Sequence, residues 1–378
     1  MINKILKQLG SLLLVFSCAT TFAPSAIAAR TIVVDESGGD YMKVVDASKA
    51  AMPGDTILIR KTSEITQDAV INSPDFFKDG VTYASNGRTP IRVTISGRGV
   101  VTLRGFSFSS LKVENSHDIV IQKCTIKGGA VIIDKSKAVT IEGCAIDAPA
   151  PQYAERRIDI PVNTLSTIVL KKSSQIHLHN NLIKAGSHAV ESFFSDVDLT
   201  NNTIVGALHI GRDLNPQKLS DALGALIEGS AVLLRCGRPE NLGDWPSNPY
   251  LMGKETLAHL VDYPHKVQMT NNIVAGNERG LVLELCEHEY QAELRNNLWF
   301  KNAKGDFSFV EKNSAEMSVS YTAKDLMTRD SALSNGNLFV DPLFMNPGGG
   351  DFTLQLGSPA VTKEGKPLGV SAEQGKLP

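Results

Sequence analysis

The octet IVIQKCTI at 119–126 returns as VTIEGCAI at 139–146, with a cysteine in the same slot both times. Five further segments fit the same frame of alternating apolar residues, a turn slot and a second apolar pair: VTLRGFSF, IHLHNNLI, VDLTNNTI, VQMTNNIV and AELRNNLW. Phe106, Cys124, Cys144, Asn181, Asn202, Asn272 and Asn297 hold the slot in turn, at successive gaps of 18, 20, 37, 21, 70 and 25 residues. The unit is about twenty residues long, padded twice by insertions, which is the length of one coil of a solenoid.

Between the turn slots lies a second family of apolar strands, AVIID, TIVLK, AVES, AVLLR and LVLEL, so each unit carries at least two strands and no helix. Such a unit cannot bury its own apolar face. Stacking units about 4.8 Å apart creates a continuous core with in-register side-chain ladders. A single NN pair is explained equally well by an ordinary turn. Four pairs in one register instead point to an asparagine ladder that satisfies turn backbone coil after coil.

The first 29 residues are set apart from this pattern. Lys4 and Lys7 precede the apolar run LGSLLLVFSCATTFA and the small-residue stretch SAIAA, the form of a secretory signal peptide cleaved after Ala28 or Ala29. An alternative is a lipoprotein anchor at Cys18 in VFSC, although Phe16 fits that box badly. The expected location is secreted or periplasmic. About 350 residues then remain as a single domain, 30–378, enough for a large core. Its partner class is bounded by charge, since 38 Lys+Arg against 40 Asp+Glu, with no basic arm, argues against a nucleic-acid binder. Four cysteines remain after cleavage, an even number in an oxidising compartment.

Taken together, the chain resembles the right-handed parallel β-helix proteins of the pectate-lyase-like superfamily, loosely the chondroitinase-B-type and alginate-lyase-type members. DYMKVVDASKAAMPGDTILIR at 40–60 resembles the family's N-terminal cap, an amphipathic helix stopped by Pro53-Gly54 and running into the first strand. The asparagine ladder covers the middle. NLFVDPLFMNPGGGDFTLQLGSPAV at 337–361 resembles the segment that closes such helices. The resemblance implies an all-β fold, a right-handed parallel β-helix with an N-terminal helical cap, and it specifies architecture rather than reaction.

Within that register Cys124 and Cys144 are stacked neighbours, and a Cα separation near 4.8 Å falls inside the window of about 4.4–6.8 Å for a disulfide. Cys236 and Cys286 end equivalent strands of adjacent coils and repeat the arrangement. Two cross-coil disulfides are therefore expected; a buried stack of free thiols is the alternative. Neither pair has the spacing of a metal site. The catalytic signatures of polygalacturonases (NTD, DD, GHG, RIK), mannuronan epimerases (DPHD) and pectate lyases (WxDH) are absent.

The padded gaps show where extra chain leaves the solenoid. Insertion one, about 147–164, and insertion two, about 205–228, leave from the same edge, two coil steps apart, and are expected to wall a cleft one sugar ring wide. Insertion three, about 237–265, leaves from a later corner and carries Trp245, Tyr250 and Tyr263. One wall supplies Arg156, Arg157 and Asp159, and the other Arg212, Asp213 and Lys218, as candidate substrate-binding residues. Lys184, His188 and Glu191 on the floor are the candidate catalytic residues. Each charge taken singly is equally at home on a solvated loop.

Two further clusters compete with ordinary solvated surface. His177 and His179 are expected to alternate outward beside Asp198 and Thr200 of the next coil. Glu284, Glu287, His288 and Glu289 form the second cluster; no cofactor is specified, and calcium is the ion these carboxylates would suit. A uronic-acid lyase needs a cation to neutralise the carboxylate, a base for the acidified proton and an acid for the leaving oxygen, which the cleft residues would supply. The expected function is binding or cleavage of an acidic polysaccharide, by β-elimination, in a monomer without a membrane span. The alternative is a non-catalytic carbohydrate-binding or envelope-structural β-helix. A hydrolase would need paired carboxylates about 5–9.5 Å apart, for which only Asp159 with Asp213 or Glu191 qualifies.

Overall fold

The computed structural model describes residues 28–67, 69–72, 75–87, 89–148, 166–207, 229–235, 266–284, 291–310, 319–321 and 335–377. The alternating segments form a right-handed parallel β-helix whose coils present three faces. Face one stacks ten parallel strands, from Thr31–Asp35 through His117–Gln122, Lys137–Glu142 and Ser174–His179 to Gln291–Arg295. Face two is built of short strands such as Ala145–Asp147, Leu182–Lys184, Thr203–Val205 and Ile273–Ala275. Face three comprises Val131–Asp134, Ser166–Lys171, His188–Phe193, Ser230–Arg235, Arg279–Glu284 and Phe307–Val310. The long strand Ser107–Glu114 pairs with the first strands of both the second and third faces and joins them into one sheet.

Period-two alternation places every second residue inside, where it meets its equivalent in the next coil. On face one, Leu103, Ile121, Ile141, Leu178, Leu199, Met269 and Leu294 form one buried row in strict register. On face three the matching row is Val131, Ile168, Val190, Val232, Leu281 and Phe307. Fully burying one such side chain contributes roughly 1.5–3 kcal/mol. A one-residue slip would turn a whole row to solvent.

The repeated slot lies at the corner between faces one and two. The residue before it takes the left-handed conformation: φ is 50° at Lys123, 62° at Gly143 and 56° at both Asn180 and Asn201. Asparagine tolerates that region better than most residues, which accounts for the first Asn of each NN pair. The second points inward. The N–H groups of Cys144, Asn181, Asn202, Asn272 and Asn297 donate to the side-chain oxygens of Asn181, Asn202, Asn272, Asn297 and Asn337, at 2.8–3.0 Å. Each amide also donates back to a carbonyl of the preceding coil, as Asn202 Nδ2 does to Leu178 O at 2.7 Å.

The expected Cys124–Cys144 disulfide is not formed; both thiols are free and buried. They do the work of the asparagines. Cys124 N–H donates to Cys144 Sγ at 3.3 Å, and Cys144 Sγ donates in turn to Ile121 O at 3.6 Å, the carbonyl that a ladder amide would reach. In a ladder of parallel stacked side chains the two Cβ vectors run the same way, and a disulfide needs them to converge. Burial holds the Cys144 thiol well above its usual pKa, which disfavours the reactive thiolate there. Cys236 and Cys286 lie outside the described residues.

A second corner carries a serine ladder. The N–H groups of Arg98, Ser116, Ser136 and Ser173 donate to the hydroxyls of Ser116, Ser136, Ser173 and Ser195 at 3.0–3.2 Å. Asn115, Lys135, Lys172 and Phe194 supply the left-handed residue before each serine. At the remaining corner Asn277 and Asn302 start a third, shorter ladder.

The helix expected ahead of Pro53-Gly54 is Val44–Ala50, which buries Val44 and Ala47. Just beyond it, Asp55 accepts from Met52 N–H and from the backbone and guanidinium of Arg30, and these bonds hold its pKa at about 2. The C-terminal segment adds one rung through Asn337 and then folds back along face two. Phe352, Ala360, Leu368 and Val370 cover Leu182, Val205, Ile273 and Leu298 in a second apolar cluster. Gly369 fits where a side chain would not: its φ is 72° and a Cβ would come within 2.5 Å of Thr203 Oγ1. Ser371 N–H reaches Asn180 Oδ1 at 2.8 Å, so the tail spans several coils.

Replacing Asn202 by Ala removes the acceptor for Asn181 N–H and leaves that buried donor unmet, which is expected to cost about 1–3 kcal/mol plus the lost packing. The urea midpoint should fall accordingly, and an unchanged midpoint would contradict the ladder. The thiols give a second check. Without reductant, native protein should leave Cys124 and Cys144 unlabelled by a thiol reagent, and denaturation should expose both; protection that persists in denaturant would restore the disulfide.

Candidate functional site

The three faces differ in what their outward side chains meet. Face two is covered by the C-terminal segment. Face one carries an open polar strip in which His177 stands over Asp198 and His179 over Thr200, the register expected from the sequence. Its contacts are loose: His177 Nδ1 lies 3.6 Å from Asp198 Oδ2 and His179 Nδ1 3.7 Å from Glu142 Oε1. Face three combines burial with chemistry. Its outward row of Val169, Glu191, Leu233, Val282 and Ser308 is buried, although Val169, Leu233 and Val282 belong to neither apolar core cluster.

The coil of Asn181 supplies the polar centre of face three. His188 is 2 % exposed and Glu191 1 % exposed. His188 Nδ1 lies 2.6 Å from Ser230 Oγ of the next coil, and the Ser166 hydroxyl of the preceding coil donates to Glu191 Oε2. Ser166 and Ser230 open the two face-three strands that follow the interrupted corners, where described chain stops at Ala148 and Ala207. The two strands meet the site from either side, at one coil spacing each.

Lys184 stands apart from this pair. It ends a face-two strand, half exposed, with its Nζ 3.8 Å from Asp147 Oδ1, four residues before His188 around the corner. The structure therefore brings His188 and Glu191 together with two serines, and leaves Lys184 at the rim. Arg156, Arg157, Asp159, Arg212, Asp213 and Lys218 lie outside the described residues, as do Trp245, Tyr250, Tyr263, Glu287, His288, Glu289 and the side chain of Glu284. Among the described residues no group of three or more His, Cys, Asp or Glu side chains could hold a metal ion.

The sequence reading missed Lys171. It occupies the outward row Asp134, Lys171, Phe193 of face three, diagonal to Glu191. Burial lowers its pKa below the usual 10.5, Asp134 and Glu191 pull it back up, and Lys112 lowers it further. Alternation in TIVLK was the available signal, since Ile168 and Leu170 inside force Lys171 outside. Glu191 and Lys171 thus lie diagonally on the outward side of face three, with His188 in the same strand as Glu191.

The sequence matches no family model and no curated protein. Among solved structures it is similar to a rhamnogalacturonan lyase, at 11 % identity and a TM-score of 0.46, over 84 % of this chain and 91 % of that one. A pectate lyase shows 10 % identity and a TM-score of 0.42, over 88 % and 90 %. The A-module of an Azotobacter vinelandii mannuronan C-5 epimerase shows 14 % and 0.33, over 74 % and 87 %. These likenesses concern architecture alone.

Lys171 yields a pH prediction. The folded state releases its proton at lower pH than the unfolded chain does, so between the lowered value and 10.5 the unfolded chain holds more protons and stability rises with pH. Replacing Lys171 by Met should flatten that alkaline rise in urea midpoints, and an unaltered profile would show that Lys171 titrates as if in water.

Proposed function

We propose that this protein is exported and binds or cleaves an acidic polysaccharide on face three, by β-elimination at a uronic acid. The observation that carries the proposal is the pairing of His188 and Glu191 in one strand, each bonded to a serine that opens a neighbouring strand after an interrupted corner. A solenoid core has no need of an imidazole and a carboxylate there, and burying them costs free energy even when each has a partner, which favours a functional role. In this scheme Arg156, Arg157 and Arg212, with Lys218, clamp the uronate carboxylate through paired guanidinium donors, flanked by Asp159 and Asp213. His188, Lys171 or Lys184 takes the proton beside that carboxylate, and Glu191 serves the leaving oxygen. Segment 1–29 acts as a signal peptide, delivering a monomer to the periplasm or medium. No described helix is long and apolar enough to cross a membrane.

A second reading, a non-catalytic carbohydrate-binding or envelope-structural protein, is favoured by the burial of His188 and Glu191 and by the open polar strip of face one. One experiment separates them. Purified protein is mixed with alginate, pectate and glycosaminoglycans, with and without calcium, while the ultraviolet absorbance of unsaturated uronates is followed. The lyase reading expects product from one polymer and a loss of at least about a hundredfold in turnover for His188→Ala with binding largely kept. Absence of product from every polymer, with no tighter binding than to a neutral glucan, would leave the structural role.

A further inference from the structure

Asn277 and Glu278, at the corner that leads into the face-three strand Arg279–Glu284, have no part in the chemistry described above, yet they are bonded to both the coil before and the coil after. Asn277 Oδ1 accepts from Ala207 N–H at 3.0 Å, and Glu278 N–H donates to Ala207 O at 2.7 Å. Ala207 is the last described residue before the gap. On the far side, Glu278 Oε2 accepts from Gly229 N–H at 2.9 Å, and Arg279 N–H donates to Gly229 O at 2.9 Å. Three consecutive residues thus bond both Ala207 and Gly229.

The glutamate, like Arg279 beside it, is charged and covered. Its side chain is 11 % exposed, and its second oxygen lies 2.6 Å from Lys304 Nζ of the following coil. Lys304 is itself fixed: its N–H donates to Glu278 O at 2.7 Å and its carbonyl accepts from Arg279 Nη1 at 3.1 Å. A backbone N–H at Gly229 would be satisfied by any neutral acceptor. A carboxylate held on its other oxygen by an ammonium makes a charge-assisted bond to Gly229 N–H, stronger than a neutral one. What it stiffens is the residue next door, because Ser230 follows Gly229 directly and its hydroxyl is the partner of His188 Nδ1.

We infer that Glu278 is a positioning residue for His188, acting through Gly229 and Ser230. The inference rests on the reading of His188 as a proton acceptor only for its consequence in turnover; the structural coupling stands apart from it. Lys304 and Glu278 fix Gly229, Gly229 fixes where the Ser230 hydroxyl sits, and that hydroxyl, bonded to Nδ1, holds the turn of the His188 ring. A displacement of order 1 Å at such a base costs about a hundredfold in rate.

The test uses the full chain labelled with nitrogen-15 in its histidines, with His188→Gln to assign the His188 ring and Ser230→Ala to mark the spectrum of a lost hydroxyl partner. Glu278→Ala should move the His188 ring resonances toward their Ser230→Ala positions and lower kcat roughly tenfold or more at unchanged KM. Glu278→Gln keeps an oxygen for Gly229 N–H and should leave the resonances near wild type. Folded Glu278→Ala protein with His188 resonances unmoved overturns the inference. Should that variant fail to fold, Lys304→Met takes its place: a shift in the same direction supports the coupling, and unmoved resonances overturn it. Turnover that survives His188→Ala would remove the catalytic role of His188 while leaving the resonance result to decide the role of Glu278.

Discussion

Parallel in-register stacking is the constraint on which the rest of this molecule depends. A polar side chain can be buried at a solenoid corner only if the coil above presents it with an acceptor and the coil below with a donor, so each ladder residue is satisfied by its own equivalent. Asn181, Asn202, Asn272, Asn297 and Asn337 meet this condition with an oxygen and an amide each. Cys144 meets it with a thiol that accepts weakly from Cys124 N–H and donates weakly to Ile121 O, and the Cys124 thiol donates to Leu103 O. Cysteine in that slot is therefore a dry, small substitute for asparagine where the facing residue is also apolar, as Phe106 is one coil earlier.

Such stacking also decides where chemistry can be placed. The corner between faces one and two is turned by one left-handed residue and one ladder residue from Cys124 to Asn297, and inserting chain there would break every rung. At the two edges of face three, described strands end at Asp147, Val205 and Arg235 and the next begin at Ser166, Ser230 and Lys266. Face two is sealed by the C-terminal segment, and face one stays flat and polar. Among the described residues, face three is where an imidazole and a carboxylate, His188 and Glu191, are buried together in one strand.

Burial at that surface is costly, and the structure offsets it by giving each group a partner from an adjacent coil. His188 has Ser230, Glu191 has Ser166, and Arg279 has Ser308 and the carbonyl of Lys304. These partners come from different coils, so register fixes the geometry of the site as rigidly as it fixes the core.

The sequence by itself determined the coil. The seven copies of the slot, the alternation around it and the breaks between copies specify strand length, register and the edges from which chain departs, because period-two burial and turn chemistry are local properties that repeat. The serine ladder at Ser116, Ser136, Ser173 and Ser195 was equally local and escaped notice because serine before a strand is common and carries no doubled residue to mark it. Only the tertiary structure decided that the C-terminal segment folds back over Leu182 and Ile273, that Cys124 and Cys144 act as ladder thiols, and that His188 and Glu191 are covered while Lys184 stands at the rim. It also added Lys171 and Glu278, whose neighbours come from coils about twenty to fifty residues away in sequence. Depth of burial and the choice of partner depend on what stacks above, below and outside a residue, and alternation along one strand contains none of that information.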